Sequence, residues 1–401
     1  MAAQRAGGVV EAHLDVVVRV ARRPSTWLRR VVGLNGLTAR ANGGNREHCG
    51  EEENDASIGH GSNLTYNRAM IRVMHVGLGP IGALVARQIA SRKGFRIVGA
   101  VDVDSQKVGR DLGDVIEAGR QLRVRVTDDT GRTITATKPD VAVLCTSSSL
   151  KVVLPQFEEI LKRRVPIVTT TEEAAYPAPR NRRLATRLDA AAKKARVAVL
   201  GTGVNPGFTM DALPIALSAV CERVDRIEVH RVQDARIRRL PFQQKIGAGL
   251  TREQFDRQVE LGTVRHVGFT ESIQMIGDAM GWKLDRIVDD VAPTIAEQAV
   301  ASDLLAVKAG QVCGVVQNGV GYMKGVALIT LRLEAYLGAP DPYDSVLIEG
   351  SPRIYSKIAG GVHGDIATAS ITINSIPAVL TAPPGLRTMR DMRLPSFFSG
   401  R

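Results

Sequence analysis

Residues 71 to 102 constrain this chain more than any other stretch. Ile71-Arg72-Val73-Met74-His75-Val76 is short, apolar and rich in β-branched residues, the composition of a strand buried in a parallel sheet. Gly77-Leu78-Gly79-Pro80-Ile81-Gly82 follows at once, and then a run of good helix formers from Ala83 to Ala90 with one apolar face. A second strand, Phe95 to Val101, ends at Asp102, twenty positions after Gly82. Each part has a physical task. Gly77 permits the tight turn, Gly79 lets the backbone approach a pyrophosphate, and Gly82 lets helix and strand pack closely. Pro80 and Ile81 open the helix, whose N-terminus offers unpaired N–H groups and a positive dipole to phosphates. Asp102 accepts hydrogen bonds from an adenosine ribose. Glycines in a turn are usually only turns. Here they sit between a strand and a helix, and that context makes the stretch a dinucleotide site. Asp102 favours NAD, since a carboxylate repels a 2′-phosphate. Lys107 and Arg110 just downstream would neutralise such a phosphate, so NADP stays open.

Downstream of Met70 strands and helices alternate. Asp104 to Gly119 reads as a helix weakened by Gly109 and Gly113. Asp140 to Thr146 and Pro166 to Thr171 read as buried strands, with helices at Leu150 to Arg163 and Asn181 to Ala195, and a strand at Arg196 to Leu200. The period predicts a doubly wound parallel sheet of the Rossmann type. Ligands of such sheets bind outside the carboxyl ends of the strands. Thr146, Ser147 and Thr171 lie at those ends and are assigned to the cofactor. Glu172 and Glu173 end the same strand, where the nicotinamide half belongs.

The pattern changes after about residue 220. Strand patterns at 226–232, 311–316, 325–335 and 345–349 and helices at 251–261 and 268–280 predict a second α+β domain with a mixed or antiparallel sheet. A helix following Asp365 and running through about Asn374 is expected to return to the first domain. The boundaries expected are 1–69, 70–215, 216–370 and 371–401. Residues 1–69 carry Arg19, Arg22, Arg23, Arg29 and Arg30, then a tract rich in Gly, Asn, Glu and Ser. They read as a disordered extension, with Met70 as a natural start. A transit peptide is the alternative, weakened by Glu11, Asp15 and the lack of a cleavage pattern.

The net charge of +12 raises the question of nucleic acid. Only 4% of residues are aromatic and the basic residues are scattered, so the charge reads as a solvated surface that attracts an anionic cofactor. No apolar run reaches the roughly 18 residues of a membrane span. Cys49, Cys145, Cys221 and Cys313 stand alone, which argues against a metal site or a disulfide framework and fits a reducing cytoplasm.

Several stretches beyond the glycine turn are more specific than it is. They are Thr171-Glu172-Glu173 with Tyr176-Pro177, Gly201 to Gly207 with Asn205-Pro206-Gly207, Arg238 to Gly249 with Lys245-Ile246-Gly247-Ala248-Gly249, and Gly360 to Asp365. With these stretches the chain from Met70 resembles the 2,4-diaminopentanoate dehydrogenases and native amine dehydrogenases, distant relatives of dihydrodipicolinate reductase. The resemblance implies NAD(P)-dependent oxidative deamination of an amine or diamino acid, and the reverse amination of a carbonyl with ammonia, in a homodimer. It places the catalytic carboxylate on Glu172 or Glu173, with a lean to Glu172. On an extended chain these neighbours point opposite ways, so one of them faces the pocket. It gives Asn205 to the cofactor carboxamide or the substrate, and Tyr176, Lys245 and His363 to the substrate wall. A substrate carboxylate has Arg238, Arg239 and Lys245 to choose from. Two other functions are weighed against this one: a dihydrodipicolinate-type imine reductase, whose His-His-Lys run is absent here, and a catalytically silent dinucleotide-binding protein.

Overall fold

The computed structural model describes residues 70–400. The expectations for residues 1–69 lie outside the described residues.

Seven parallel strands form the first sheet. In spatial order they are Gly385–Arg387, Ala198–Gly201, Ile167–Thr169, Val141–Leu144, Ile71–Val76, Phe95–Val101 and Val126–Thr127. Their residues are apolar on both faces because both faces are covered. On one side Val73, Val141, Val143 and Val168 pack with Val85 and Ile89 of the helix Pro80–Ser91 and with Ile373 and Ile376 of the helix Gly364–Thr381. On the other, Met74, Ala142 and Leu144 pack with Leu154 and Phe157 of Leu150–Leu161 and Leu188 of Arg182–Ala195.

Six strands form a second, mixed sheet: Ile354–Ala359, Tyr343–Ser351, Arg223–Asp234, Val326–Tyr336, Val312–Met323 and Arg286–Ile295. The Arg223–Asp234 and Val326–Tyr336 pair is parallel and the other pairs are antiparallel. The helix Phe269–Ala279 lies on its inner face. Gly319 and Gly321 make that approach possible, because a Cβ on either would strike Ile273 of the helix.

Two local readings are corrected, and two strands are added. The stretch from Asp104 to Gly119 is helical only at Leu112–Val115. Gly109 turns at φ 90°, and the Asp111 carboxylate accepts from the N–H groups of Gly113, Leu122 and Val124, which ties the backbone into a loop instead. The final helix does not end at Asn374 but runs through Pro377 to Thr381. Ile373, Ile376 and Val379 are buried against the first sheet, and that packing outweighs the single hydrogen bond a proline removes. The strands Arg286–Ile295 and Ile354–Ala359 are the two additions; their residues carry no clean alternation, so the sequence pattern predicts neither. Among the described residues no helix is long and apolar enough to cross a membrane.

Candidate active site

A cleft of about 300 Å³ opens between the glycine turn of the first sheet and the inner face of the second. Its first wall is mostly backbone. Gly79, Pro80, Ile81 and Gly82 line it, beside Thr146, Ser147 and Ser148 at the end of the Val141–Leu144 strand. The turn is folded by two different steric demands. Gly77 sits at φ 89°, where a Cβ would also meet the Cys145 carbonyl, and a Cβ on Gly82 would run into the Gly77 carbonyl. A Cβ on Gly79 would meet nothing within 4 Å. Gly79 is thus the glycine that faces open space, and it is the N-cap of Pro80–Ser91 with no side chain capping it. The free N–H groups of the helix start suit an anion. Below the turn His75 is fully buried, with Nε2 3.1 Å from the Gly77 carbonyl. Burial pushes its pKa down to about 4, against the smaller raising effect of that hydrogen bond.

Asn205 stands deeper in the cleft. Its Nδ2 contacts Met210 Sδ at 3.0 Å, while the buried Oδ1 has no partner among the described residues. The Thr202 hydroxyl is likewise buried and unpartnered. A carboxamide or an amine would satisfy such groups. The uncapped helix start, the open space at Gly79 and these orphaned oxygens fit a nicotinamide dinucleotide laid across the carboxyl ends of the strands.

The second wall is charged. Arg238 is buried, donates to both oxygens of Asp365 (Nε to Oδ2 3.2 Å, Nη2 to Oδ1 3.0 Å) and to Gln233 Oε1 (2.6 Å), and stacks on Phe242 at 4.0 Å. Burial alone would raise the pKa of Asp365, but Arg238 and Arg239 outweigh it and hold the carboxyl below its usual range. Arg231 is also buried and donates to Thr209 Oγ1 (2.5 Å) and the Val362 carbonyl (2.6 Å), with Asp344 at 3.5 Å. His266 lines the same wall. Its backbone N–H donates to Gln317 Oε1 (2.7 Å), and its carbonyl accepts from Gln317 Nε2 (3.0 Å). Burial, then the charges of Lys245, Arg231 and Arg238, push its pKa down to about 3, so it is neutral.

Glu172 and Glu173 separate clearly. They lie in one 3₁₀ turn, Glu172–Ala174, and not on an extended chain. Glu173 turns away: Oε2 accepts from Leu150 N (2.8 Å) at the start of the Leu150–Leu161 helix, and Oε1 is 3.6 Å from Arg180. Arg180 in turn reaches the buried Glu271 at 3.0 Å. The Glu172 side chain faces the cleft with Lys245 Nζ 3.8 Å from Oε1, and it makes no hydrogen bond among the described residues.

The chain matches the family described as "2,4-diaminopentanoate dehydrogenase C-terminal domain" over residues 208–401 and that described as "Dihydrodipicolinate reductase, N-terminus" over residues 71–202. It is 34% identical over 345 residues to a 2,4-diaminopentanoate dehydrogenase of Acetoanaerobium sticklandii, covering 82% of this chain and 95% of that one. The chain belongs to the 2,4-diaminopentanoate dehydrogenase family. Membership makes it an oxidoreductase with a dinucleotide-binding domain for NAD(P). An amine dehydrogenase of Streptomyces virginiae is 23% identical over 352 residues, 81% of this chain and 97% of that one. The structure titled "Structure of Amine Dehydrogenase from Mycobacterium smegmatis" superposes with a TM-score of 0.74 at 26% identity, covering 82% of this chain and 98% of that chain.

For this member of the family, several assigned residues stand elsewhere than expected. Thr171 is buried, and its hydroxyl accepts from Thr169 Oγ1 at 2.9 Å. Side chains alternate at a strand end, so Thr170 lines the cleft instead. Tyr176 is buried outside the cleft lining, its hydroxyl donating to Asp278 Oδ2 (2.6 Å). It bolts the Glu172 turn to the helix Phe269–Ala279. His363 caps the final helix, with Nδ1 3.5 Å from Ile366 N, while its neighbours Gly364 and Asp365 reach the cleft. Asp102 lies outside the cleft lining too. Its carboxylate accepts from Leu78 N (2.6 Å) and Asp104 N (2.9 Å), so it secures the glycine turn, and Lys107 stands 3.7 Å away. Sequence reasoning did not single out Arg231, Gln233 or His266, and it gave Asp365 no role within the stretch Gly360 to Asp365. One signal was available: Arg231 and Gln233 continue the inward-facing register of Ile227 and Val229, and a charge on an apolar face asks for a partner.

Proposed function

We propose that the chain oxidises an amine to the imine that hydrolyses to a carbonyl and ammonia, and runs the reverse amination. The substrate class is an amine whose carbon chain also carries a carboxylate, as in the 2,4-diaminopentanoate for which the relative from Acetoanaerobium is named. The observation that carries this reading is the pair Glu172 and Lys245. They are opposite charges facing the cleft near the glycine turn, and neither makes a hydrogen bond among the described residues.

NAD or NADP, when bound, accepts the hydride. Gly79, Ile81 and Gly82 would hold its phosphates, Thr146 and Ser147 its ribose side, and Asn205 its carboxamide. Glu172 accepts a proton from the substrate ammonium, which leaves the amine lone pair free to push hydride off the adjacent carbon. After losing that proton to solvent, Glu172 takes one from the water that attacks the resulting iminium and returns it to the carbinolamine nitrogen, which leaves as ammonia. General bases of this kind contribute roughly 10²–10⁴-fold. Glu173, engaged with Leu150 N, holds the turn on which Glu172 stands. The remaining organisation belongs to the same proposal: a nucleotide domain over 70–215, a substrate domain over 216–370, and a segment 371–401 returning to the first. We also assign a homodimer through the outer face of the second sheet, where Val316, Val320 and Leu328 stay half-buried while their inward neighbours are covered. The unpaired Cys145, Cys221 and Cys313 fit a reducing cytoplasm.

The test is absorbance of the reduced nicotinamide in the full-length protein. 2,4-Diaminopentanoate is supplied with NAD and with NADP, and small ketones are supplied with ammonia. Amine-dependent reduction of either dinucleotide is expected. No turnover in either direction, with dinucleotide binding seen by calorimetry, would sink the reading.

A further inference from the structure

We propose that Lys245 exchanges partners when substrate binds. In the free enzyme it faces Glu172; in the complex the substrate's nitrogen takes that place and Lys245 turns to the substrate's carboxylate. The inference rests on the amine-oxidation reading above and says how the site selects its substrate.

The geometry is that of a placeholder. Lys245 Nζ stands 3.8 Å from Glu172 Oε1, beyond hydrogen-bonding distance, and neither group is held by anything else among the described residues. The buried cations of the wall are committed. Arg238 is bound on both oxygens of Asp365 and on Gln233, and Arg231 is bound to Thr209 and Val362. Both are buried and fixed. Lys245 is different: its side chain is 37% exposed, at the end of the short helix Leu240–Lys245. A four-carbon stem lets its head move without moving the backbone.

The reacting nitrogen is a cation on arrival as ammonium, and again as iminium after hydride leaves. Its place is at Glu172. Two cations a few ångströms apart on one carboxylate repel, so Lys245 must leave. A carboxylate on the substrate gives it a destination. Arg239 shares that end of the cleft: only its Nε is engaged, on Asp365 Oδ1 at 3.2 Å, and its terminal nitrogens make no hydrogen bond among the described residues. His266, neutral, adds no third free cation there. An amine without a carboxylate displaces Lys245 and offers it nothing in return. The same lysine therefore favours one substrate class and disfavours the other.

Opposite signs make the test. KM is measured for 2,4-diaminopentanoate and for butan-2-amine, which has no carboxylate; an inhibition constant replaces KM where butan-2-amine is not turned over. The unaltered enzyme is compared with Lys245→Met, Lys245→Gln and Lys245→Arg. The neutral variants are expected to raise the constant for the diamino acid at least tenfold and to lower that for butan-2-amine several-fold, and Lys245→Arg to restore the native order. Parallel loss for both amines in variants that still bind dinucleotide overturns the exchange, as does no change for either. An unaltered enzyme that binds dinucleotide but turns over no amine overturns the exchange together with the reaction reading. An active enzyme with parallel changes overturns the exchange alone.

Discussion

The two walls of the cleft are built on opposite principles. The glycine wall presents backbone, made accessible by removing side chains at Gly77, Gly79 and Gly82. The wall from the second sheet presents charges, and most of them neutralise one another: Arg238 with Asp365, Arg231 with Asp344. The first wall recognises a shape common to all dinucleotides and can be neutral. The second must hold buried guanidinium groups, which are costly unless paired. The difference teaches which groups are free to act. On the charged wall, only what is left uncommitted after pairing — Lys245 and the ends of Arg239 — can answer a substrate, and across from it stands Glu172.

The comparison breaks first at Glu172. Glu172→Gln is expected to lower kcat by roughly 10²–10⁴-fold while leaving dinucleotide affinity intact by calorimetry. Glu173→Gln should retain most of kcat and lose about 1 kcal/mol of stability, since it removes a charged partner of a helix start. Equal kinetic losses in both would undo the distinction drawn between the two neighbours. On the charged wall, Asp365→Asn leaves Arg238 buried beside a neutral amide. A loss of about 3–5 kcal/mol is expected, read by denaturant unfolding, and a change under 1 kcal/mol would mean the pair is not buried in solution.

Beneath the glycine wall, His75 supplies a pH signature. Its folded pKa of about 4 lies below the ordinary 6.5, so the unfolded chain binds its proton first. The contribution is complete above pH 6.5 and is lost as pH falls towards 4, about 3 kcal/mol in all. The difference in unfolding free energy between the unaltered protein and His75→Gln should shrink as pH falls over that window; a difference constant with pH would show that the fold leaves the His75 pKa at its ordinary value. The open glycine affects binding and not stability. Gly79→Val should weaken dinucleotide binding by roughly tenfold, about 1.4 kcal/mol, without shifting the melting temperature. Gly77→Val, at φ 89° and against the Cys145 carbonyl, should unfold the turn instead.

Much of the glycine wall was legible in the sequence because its parts are local. A strand, a turn and a helix start within twelve residues must be neighbours in space, and each glycine has a steric reason readable from its spacing. The charged wall was legible only in pieces. Lys245 and Asn205 stood out through the stretches they occupy, and both line the cleft. Tyr176 and His363 stood out equally and were misplaced, because a hydrogen bond to Asp278 and a helix cap claimed them.

By itself the sequence determined the alternation of strand and helix, the phosphate-binding turn, the parallel sheet and the family. These follow from periodicity and backbone freedom, which act over a few residues. Only the tertiary structure decided which of Glu172 and Glu173 meets the cleft. The answer hangs on Leu150 N, Arg180 and Lys245, groups brought together from distant parts of the chain. It also decided which cations stay free, since pairing of buried charges is settled by contacts between Arg238 and Asp365, or Arg231 and Asp344, that no local pattern encodes.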